Sequence, residues 1–461
     1  MSQPHTVVLV RAKKDRDAVE HVLAKYYREW GNQIQVATLG GTRDVEEIEE
    51  EVLNKAREGR YILLLLGRED LEQQEARRLE SRLHKLPNVS LVIVRTAKIR
   101  NMRPLEIAVN IEKAKALLRL RISWNRRTHS YVLGYPSFVK GTDLIQIPPH
   151  PLYDMYLVMG KEHAEKFRRV SRLDLPDTFL VVKRVHDEHD VLVGKDRIVE
   201  IVIPENDDPY ARRYYKISVP KIVQSLRDTI HLSANYIMTH EKLAIKIMEE
   251  AYKIAQPDKI VVPWSGGKDS TACLILALKT FGKDKVVPVF VDTGLELDLN
   301  YEYVKYVSEI LKISPEVEKA NIDKELDRRE LPTHENRWCT KLKISALYRA
   351  ISKVSDRPLI VVGDRDNESL LRLKRPHIRT HGKYFQVAPI KYWSTIMTQL
   401  YLLLNKVPLN PLYMIGFYRI GCYICPAYRV WELNVAQEYF ERISKEVTFE
   451  ALLEEQSCLI Y

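Results

Sequence analysis

At 461 residues the chain is too long for one core and predicts two or three domains. Its 45% hydrophobic and 29% charged residues are those of a soluble globular protein. No run of about 18 apolar residues reads as a membrane span, so a membrane partner is not expected. The net charge of +10, with a pI near 9.1, favours a polyanionic partner such as RNA.

The start, MSQPHTVVLVRAKKD, lacks the layout of a signal peptide and reads as a first strand, which predicts a cytoplasmic protein. Residues 1–121 alternate strand-like runs (TVVLVRA, IQVATLG, YILLLLG, VSLVIVR) with charged helical stretches (DVEEIEEEVLNKAREG, DLEQQEARRLESRLHKL). That alternation predicts an α/β accessory domain with a small parallel sheet. Its loops hold no phosphate-binding fingerprint, and Gly40-Gly41 reads as a turn.

Residues 122–235 predict a β-rich connecting module. RTHSYVLG, FLVVKRV, DVLVG and RIVEIVIP are short strands, and Pro136, Pro148, Pro149, Pro151, Pro176, Pro204 and Pro209 break any long helix. The basic, aromatic stretch WNRRTHSYVLGYP reads first as a surface hairpin and second as an RNA cradle.

From about 236 the α/β signal returns and continues to about 435, in a domain taken as 236–461 with a C-terminal cysteine segment. KIVVPW is a strand, DSTACLILALKTF a helix, KVVPVFVDTG a strand, NYEYVKYVSEILK a helix and PLIVVGDR a strand. Between the first pair lies Ser265-Gly266-Gly267-Lys268-Asp269-Ser270. Two glycines let the backbone turn sharply, the helix start offers N–H groups and a partial positive charge, and lysine and serine add donors. Together these predict a phosphate site. It is not a Walker A loop, because Asp269 separates Lys268 from Ser270.

SGGKDS resembles the pyrophosphate (PP) loop of the adenine-nucleotide α-hydrolase superfamily. VFVDTGLELDLNYEYV, ENRWCTKLKISALYRAI, VVGDRDNESLLRLKRP and VAPIKYWS resemble, in order, further motifs of its phosphoadenylyl sulfate (PAPS) reductase-like branch. The likeness covers about 260–430 and implies a Rossmann-like parallel-sheet fold for 236–461. It implies that Ser265, Gly266, Gly267, Lys268 and Ser270 hold phosphates, with Lys268 and Asp269 in catalysis. It also implies that Asp292, Thr293, Gly363, Asp364, Arg365, Glu368 and Ser369 lie at strand ends around the nucleotide, with Arg337, Lys341 and Arg372 adding positive charge.

The branch contains two chemistries. One spends ATP with Mg²⁺, adenylating a substrate and releasing pyrophosphate before a nucleophile displaces AMP. The other reduces a sulfonucleotide with a cysteine. The intact loop favours ATP and sulfur transfer, with tRNA as the acceptor and a sulfur-donor protein as partner. The reductase alternative, releasing sulfite, would use a thioredoxin-like reductant, and a non-catalytic nucleotide- or RNA-binding protein is a further alternative.

Five cysteines argue against a secreted disulfide framework. Cys422 and Cys425, two apart before Pro426, are spaced to share a metal or cluster. The family layout would bring Cys339 beside them. A [4Fe–4S] cluster on Cys339, Cys422 and Cys425 is the first expectation, with structural Zn²⁺ or a redox dithiol as alternatives. Cys339 and Cys458 are the candidate catalytic thiols. Reductases place their nucleophile near the C-terminus, but EEQSCLIY lacks the glycine that follows it there. Cys273, on an apolar helix, reads as core.

Overall fold

The computed structural model describes residues 4–135 and 139–460, so Pro136 lies outside the described residues. Strands β1 (Thr6–Val10), β2 (Ile34–Thr38), β3 (Tyr61–Leu66) and β4 (Val89–Ile93) form a parallel sheet in the order β2-β1-β3-β4. Its crossovers are α1 (Lys13–Tyr26), α2 (Val45–Arg57) and α3 (Gln73–Leu83), and α4 (Pro104–Leu117) follows β4. Helices on both faces explain why Tyr61–Leu66 is an unbroken apolar run that is buried throughout. Gly40 and Gly41 make a turn with φ of 68° and 92°. The crevice after β1 and β3 is filled by Asp70, whose carboxylate takes Arg11 Nε at 2.7 Å, Lys98 Nζ at 2.9 Å and the Gly67 N–H at 2.6 Å.

The middle of the chain makes two antiparallel sheets. In the first, β5 (Ile122–Asn125), β6 (Ser130–Leu133) and β7 (Thr142–Ile145) lie in the order β6-β5-β7. β5 and β6 are the hairpin expected in the aromatic stretch, but it is not on the surface: both strands are buried, and Tyr131 donates its hydroxyl to Leu192 O at 3.0 Å. One apolar face drives this burial: Ile122 pairs with Leu133 and Trp124 with Tyr131, so all four share a face, and all join the core.

The second sheet contains β8 (Asp154–Met159), β9 (Thr178–Lys183), β10 (Glu188–Val193), β11 (Asp196–Val202) and β12 (Tyr210–Tyr214), in the order β12-β11-β10-β9-β8. α5 (Lys161–Ser171) connects β8 to β9. Strand β8 is an edge, and an edge needs its backbone groups satisfied. The Gln399 side-chain amide does this, accepting from Leu157 N at 2.9 Å and donating to Leu157 O at 3.0 Å. That clasp fixes the sheet against the helix Thr395–Leu404.

α6 (Leu226–Ala255) begins earlier than the 235/236 boundary expected from sequence, capped by Ser225 Oγ accepting from Asp228 N at 3.1 Å. Its first turns serve the middle sheet: Thr229 and Ser233 hydroxyls accept from the β6 backbone at Tyr131 and Leu133. The helix therefore belongs to both neighbours, and the boundary cuts through it.

The last sheet has β13 (Ile260–Pro263), β14 (Val286–Asp292), β15 (Glu316–Lys319), β16 (Leu359–Val361), β17 (Ile378–His381) and β18 (Tyr384–Val387). The order is β15-β14-β13-β16-β18-β17, parallel except for β17. α7 (Lys268–Phe281) follows β13, and α8 (Asp298–Leu311) follows β14. The chain runs outward from β13 to β15, then returns to the other side of β13 for β16. That reversal opens a crevice at the carboxyl ends of β13 and β16, where ligands of such sheets collect.

The three regions share a core, since one hydrophobic cluster runs from Val8 to Leu452. The N-terminal sheet is further tied to the last one through Trp30 Nε1, which donates to Lys374 O at 2.9 Å. Gln33 also pairs with both backbone groups of Ile378, at 2.7 and 2.8 Å, closing the β17 edge. No helix among the described residues is long and apolar enough to cross a membrane.

Candidate active site

The Ser265–Ser270 loop leaves β13 and enters α7 at the reversal crevice. Gly266 has φ +75°, and a Cβ there would lie 2.3 Å from Asn300 Oδ1, so only glycine fits. The loop is held from beneath: Asn410 Nδ2 donates to Gly266 O (3.2 Å) and to Asn300 Oδ1 (2.8 Å), and Asn300 Nδ2 donates to Ser265 O (3.3 Å). Gly363, after β16, lets its loop touch α7, because a Cβ would meet the Asp269 backbone at 3.0 Å.

Several loop amides already have hydroxyl partners. Lys268 N donates to Tyr413 Oη (3.1 Å), Ser265 N to Ser270 Oγ (3.3 Å) and Gly267 N to Ser265 Oγ (3.4 Å). A hydroxyl accepts and donates alike, so Tyr413 Oη can also donate to a phosphate oxygen, whereas Ser270 Oγ donates its proton to Gly267 O at 2.9 Å.

From Lys268 a chain of charges crosses the cavity. Lys268 Nζ donates to Asp269 Oδ2 at 2.9 Å, and Asp269 Oδ1 pairs with Arg365 Nε at 2.9 Å. Arg365 Nη1 donates to Asp154 Oδ2 at 3.0 Å, and Thr395 donates to Asp154 from both N and Oγ1, at 2.8 and 2.6 Å. Asp154 opens β8, so the middle sheet contributes to the site directly. Burial lowers the pKa of Lys268, but Asp269 more than offsets this and leaves it above the usual lysine value. Burial would raise both carboxyls, yet Arg365 wins: Asp269 lies below the usual range and Asp154 at about 2.

Because its pKa is depressed on folding, Asp154 contributes stability that is complete above pH about 4 and is lost as pH falls toward 2. Its share is about 2 kcal/mol, by proton linkage. The destabilisation caused by Asp154→Asn should therefore be full at pH 7 and shrink as pH falls from about 4 to about 2. Denaturant midpoints of the two proteins across that range measure it, and a pH-independent difference would contradict this assignment.

The cavity, of about 520 Å³, is lined by Ser265, Gly267, Lys268, Asp269 and Ser270 on one side and by Gly363, Asp364, Arg365, Glu368 and Arg372 beside them. Lys183 and His189 of the middle sheet, with Tyr418, Arg419 and Arg429, form the facing wall. Arg372 is not free for a ligand: its guanidinium pairs with Glu368 and lies 3.5 Å from Asp364. Arg375 and Arg379 also hold Asp364, at 3.3 and 2.6 Å. Ser369 caps the helix Leu370–Lys374 by accepting from Arg372 N.

Other expected residues lie elsewhere. Asp292 accepts from Tyr301 Oη at 2.5 Å and Thr293 donates to Glu296 at 3.0 Å, both at the end of β14 and outside the cavity lining. Arg337 and Lys341 are exposed, at and near the start of the helix Trp338–Val354, also outside the lining. Asp154, Lys183, His189, Tyr413 and Arg419 were not anticipated. Apart from the five-residue apolar run 155–159 that follows Asp154, no local signal marks them.

Cys422 and Cys425 are neighbours in the turn, where Cys425 N donates to Cys422 O at 3.0 Å. The Cys422 thiol, as donor, holds Cys425 down to about 6 and is itself pushed up. Cys339 is buried in the same hydrophobic cluster as Cys422. No group of three His, Cys, Asp or Glu residues placed to hold a metal occurs among the described residues, so the expected three-cysteine ligand set is not assembled. Cys458 is exposed on the helix Phe449–Ile460, outside the cavity lining, and Cys273 is fully buried in α7.

Residues 259–428 match the family model of the phosphoadenosine phosphosulfate reductase domain. This segment belongs to that family. The PAPS reductase domain thus spans the loop, the cavity floor and the Cys422–Cys425 pair, whereas Asp154, Lys183 and His189 lie outside it. The chain is 34% identical over 279 residues to an uncharacterized protein of Methanocaldococcus jannaschii, covering 57% of this chain and 55% of that one. It is 25% identical over 181 residues to adenosine 5'-phosphosulfate reductase of Deinococcus radiodurans, covering 37% and 67%. The chain spans just over half the length of the first of these relatives. Among solved structures it is similar to a PAPS reductase from Candida auris in a phosphate complex, with a TM-score of 0.33 and 17% identity over 42% of this chain and 97% of that one.

Proposed function

We propose that the chain is a PP-loop enzyme that binds ATP, adenylates an acceptor with release of pyrophosphate, and passes the activated acceptor to a sulfur nucleophile. The observation that carries this reading is the complete Ser265–Ser270 loop at the sheet reversal, with Lys268 held as an ammonium at the cavity wall. On bond cleavage between the α and β phosphates, negative charge grows on the departing pyrophosphate. Lys268 lines the cavity where it can receive that charge, and a cation already fixed in place costs no reorganisation during the reaction. Arg365 keeps Asp269 ionised, and Asp269 holds the Lys268 ammonium in position.

Mg²⁺ would supply further charge neutralisation when bound, but the cavity offers no carboxylate pair for it. Asp154, Asp269, Asp364 and Glu368 are each engaged by a cation, and Glu432 accepts from Arg429 N. The metal fits this chain poorly as a resident ion. tRNA as the acceptor rests on the net charge of +10 and on the two N-terminal regions; within the aromatic stretch, Trp124 and Tyr131 are buried and do not face it.

The test uses ATP labelled at the α phosphate, with Mg²⁺ present. Labelled AMP and unlabelled pyrophosphate are expected, and Lys268→Ala should lower their formation by about 100-fold or more, as for loss of a charge-stabilising donor. Labelled ADP as the product would overturn the reading. A sulfonucleotide reductase is the second reading, favoured by the domain match. It requires that Cys458→Ser abolish sulfite release while nucleotide still binds, and the exposed position of Cys458 off the cavity speaks against it.

A further inference from the structure

The middle sheet presents a row of three polar residues to the cavity. Lys183 is the register partner of Asp154 across β8–β9 and of His189 across β9–β10. Directly opposed residues in antiparallel strands share a face, so an acid, an amine and an imidazole stand side by side there. All three line the cavity that the PP-loop lines from the other side.

Asp154 does not neutralise its neighbour. Its Oδ1 accepts from Thr395 N and Met155 N, and its Oδ2 accepts from Thr395 Oγ1 and Arg365 Nη1, so both oxygens are spent. Nearby Arg429 is committed to Asp187, and Glu432 accepts from the Arg429 backbone. That leaves Lys183 and Arg419, both on the cavity wall, without an ion pair or hydrogen bond among the described residues.

The imidazoles on this wall are also incomplete. His189 is 2% exposed, and its Nδ1 lies 2.8 Å from Asp187 O. A carbonyl only accepts, so Nδ1 carries the proton and Nε2 keeps a bare lone pair. His163, 4% exposed and also lining the cavity, has an Nε2 with no partner. Groups left this way in a polar cavity are satisfied by a ligand or by water.

We propose that the facing wall is the co-substrate site: it binds a small molecule through an oxyanion group, carboxylate or phosphate, held by Lys183 and Arg419. The site rests on the reading that nucleotide occupies the PP-loop side, because only then are the two cations left for a second ligand. The bare Nε2 of His189 gives that ligand an acceptor for an N–H or O–H beside its oxyanion.

The experiment is calorimetric titration of inorganic phosphate and, separately, malonate into the full chain, both free and loaded with the non-hydrolysable analogue AMPCPP. At least one of the two should bind the loaded protein, and the preferred one names the ligand class. Lys183→Gln and Arg419→Gln should each weaken it by about ten-fold or more, the loss expected for one charge-assisted hydrogen bond, with AMPCPP affinity unchanged within about two-fold. If neither anion binds the loaded protein, or if both variants bind like wild type, the proposal fails. It fails also if the variants lose AMPCPP affinity equally, since the cations would then serve the nucleotide. If AMPCPP does not bind wild type, the ATP reading fails and the co-substrate site with it, whereas AMPCPP binding without anion binding sinks the co-substrate site alone.

Discussion

Replacing Arg365 by alanine is expected to cost about 3–5 kcal/mol of stability and to eliminate AMP formation, the larger of the two mutational effects foreseen here. The guanidinium side chain is 4% exposed and sits between two carboxylates that are themselves mostly shielded from water. With Arg365 removed, Asp154 would lose its cation and Asp269 would meet the field of Asp154 with Lys268 alone, no longer held in place from its other oxygen. Breaking one partner out of a buried pair costs more than the pair contributes, because the stranded charge keeps its desolvation penalty. Arg365→Lys should recover only part of the loss, since an ammonium lacks the planar fork that reaches one acid through Nε and the other through Nη1. Urea unfolding combined with the labelled-ATP assay gives both readouts. An Arg365→Ala protein with the wild-type midpoint would refute the account.

Asp366→Ala should destabilise by about 3–5 kcal/mol as well, through a different network. Asp366 lies 2.9 Å from Lys115 Nζ and 2.5 Å from Lys391 Nζ, and all three side chains are fully buried. Lys115 also reaches Glu112 at 2.9 Å, whereas Lys391 donates to Arg372 O. Without Asp366, two ammonium groups would be left together in a dry interior. Burial already lowers the Lys391 pKa, which would fall further, and the ammonium would shed its proton. Changing all three to apolar residues of similar volume (Lys115→Met, Asp366→Leu, Lys391→Met) should restore part of the loss, because the dry interior then holds no stranded charge and only the less buried Glu112, kept by Tyr27 Oη, loses a cation. Thermal unfolding of the single and triple variants decides this, and a triple variant no better than Asp366→Ala would contradict it. Lys115 comes from α4, so this triad is how the N-terminal region holds the loop that carries Arg365.

Much of the scaffold was legible from residue order. The apolar runs at Thr6–Val10, Ile34–Thr38, Tyr61–Leu66 and Val89–Ile93 are strands, and their alternation with helices required a parallel sheet. SGGKDS was readable as a phosphate loop because turn, lysine and helix start are contiguous. The middle module was less legible. β8 lies in a proline-rich stretch and was not assigned, although DMYLVM carries an apolar pattern. The burial of the Trp124–Tyr131 hairpin was equally invisible, since aromatic residues among arginines suit a surface and a core alike until packing decides.

Residue order alone determined the strand–loop–helix that positions Lys268, because local backbone geometry and contiguous donors suffice to define a phosphate cradle. Only the tertiary structure decided what the cradle faces. Asp154, Lys183 and His189 gain their meaning from strand register and from a sheet docked more than a hundred residues away in chain order, through Gln399 and Arg365. Charge pairing across such distances depends on which side chains are spent and which remain, and that balance exists only once the sheets have met.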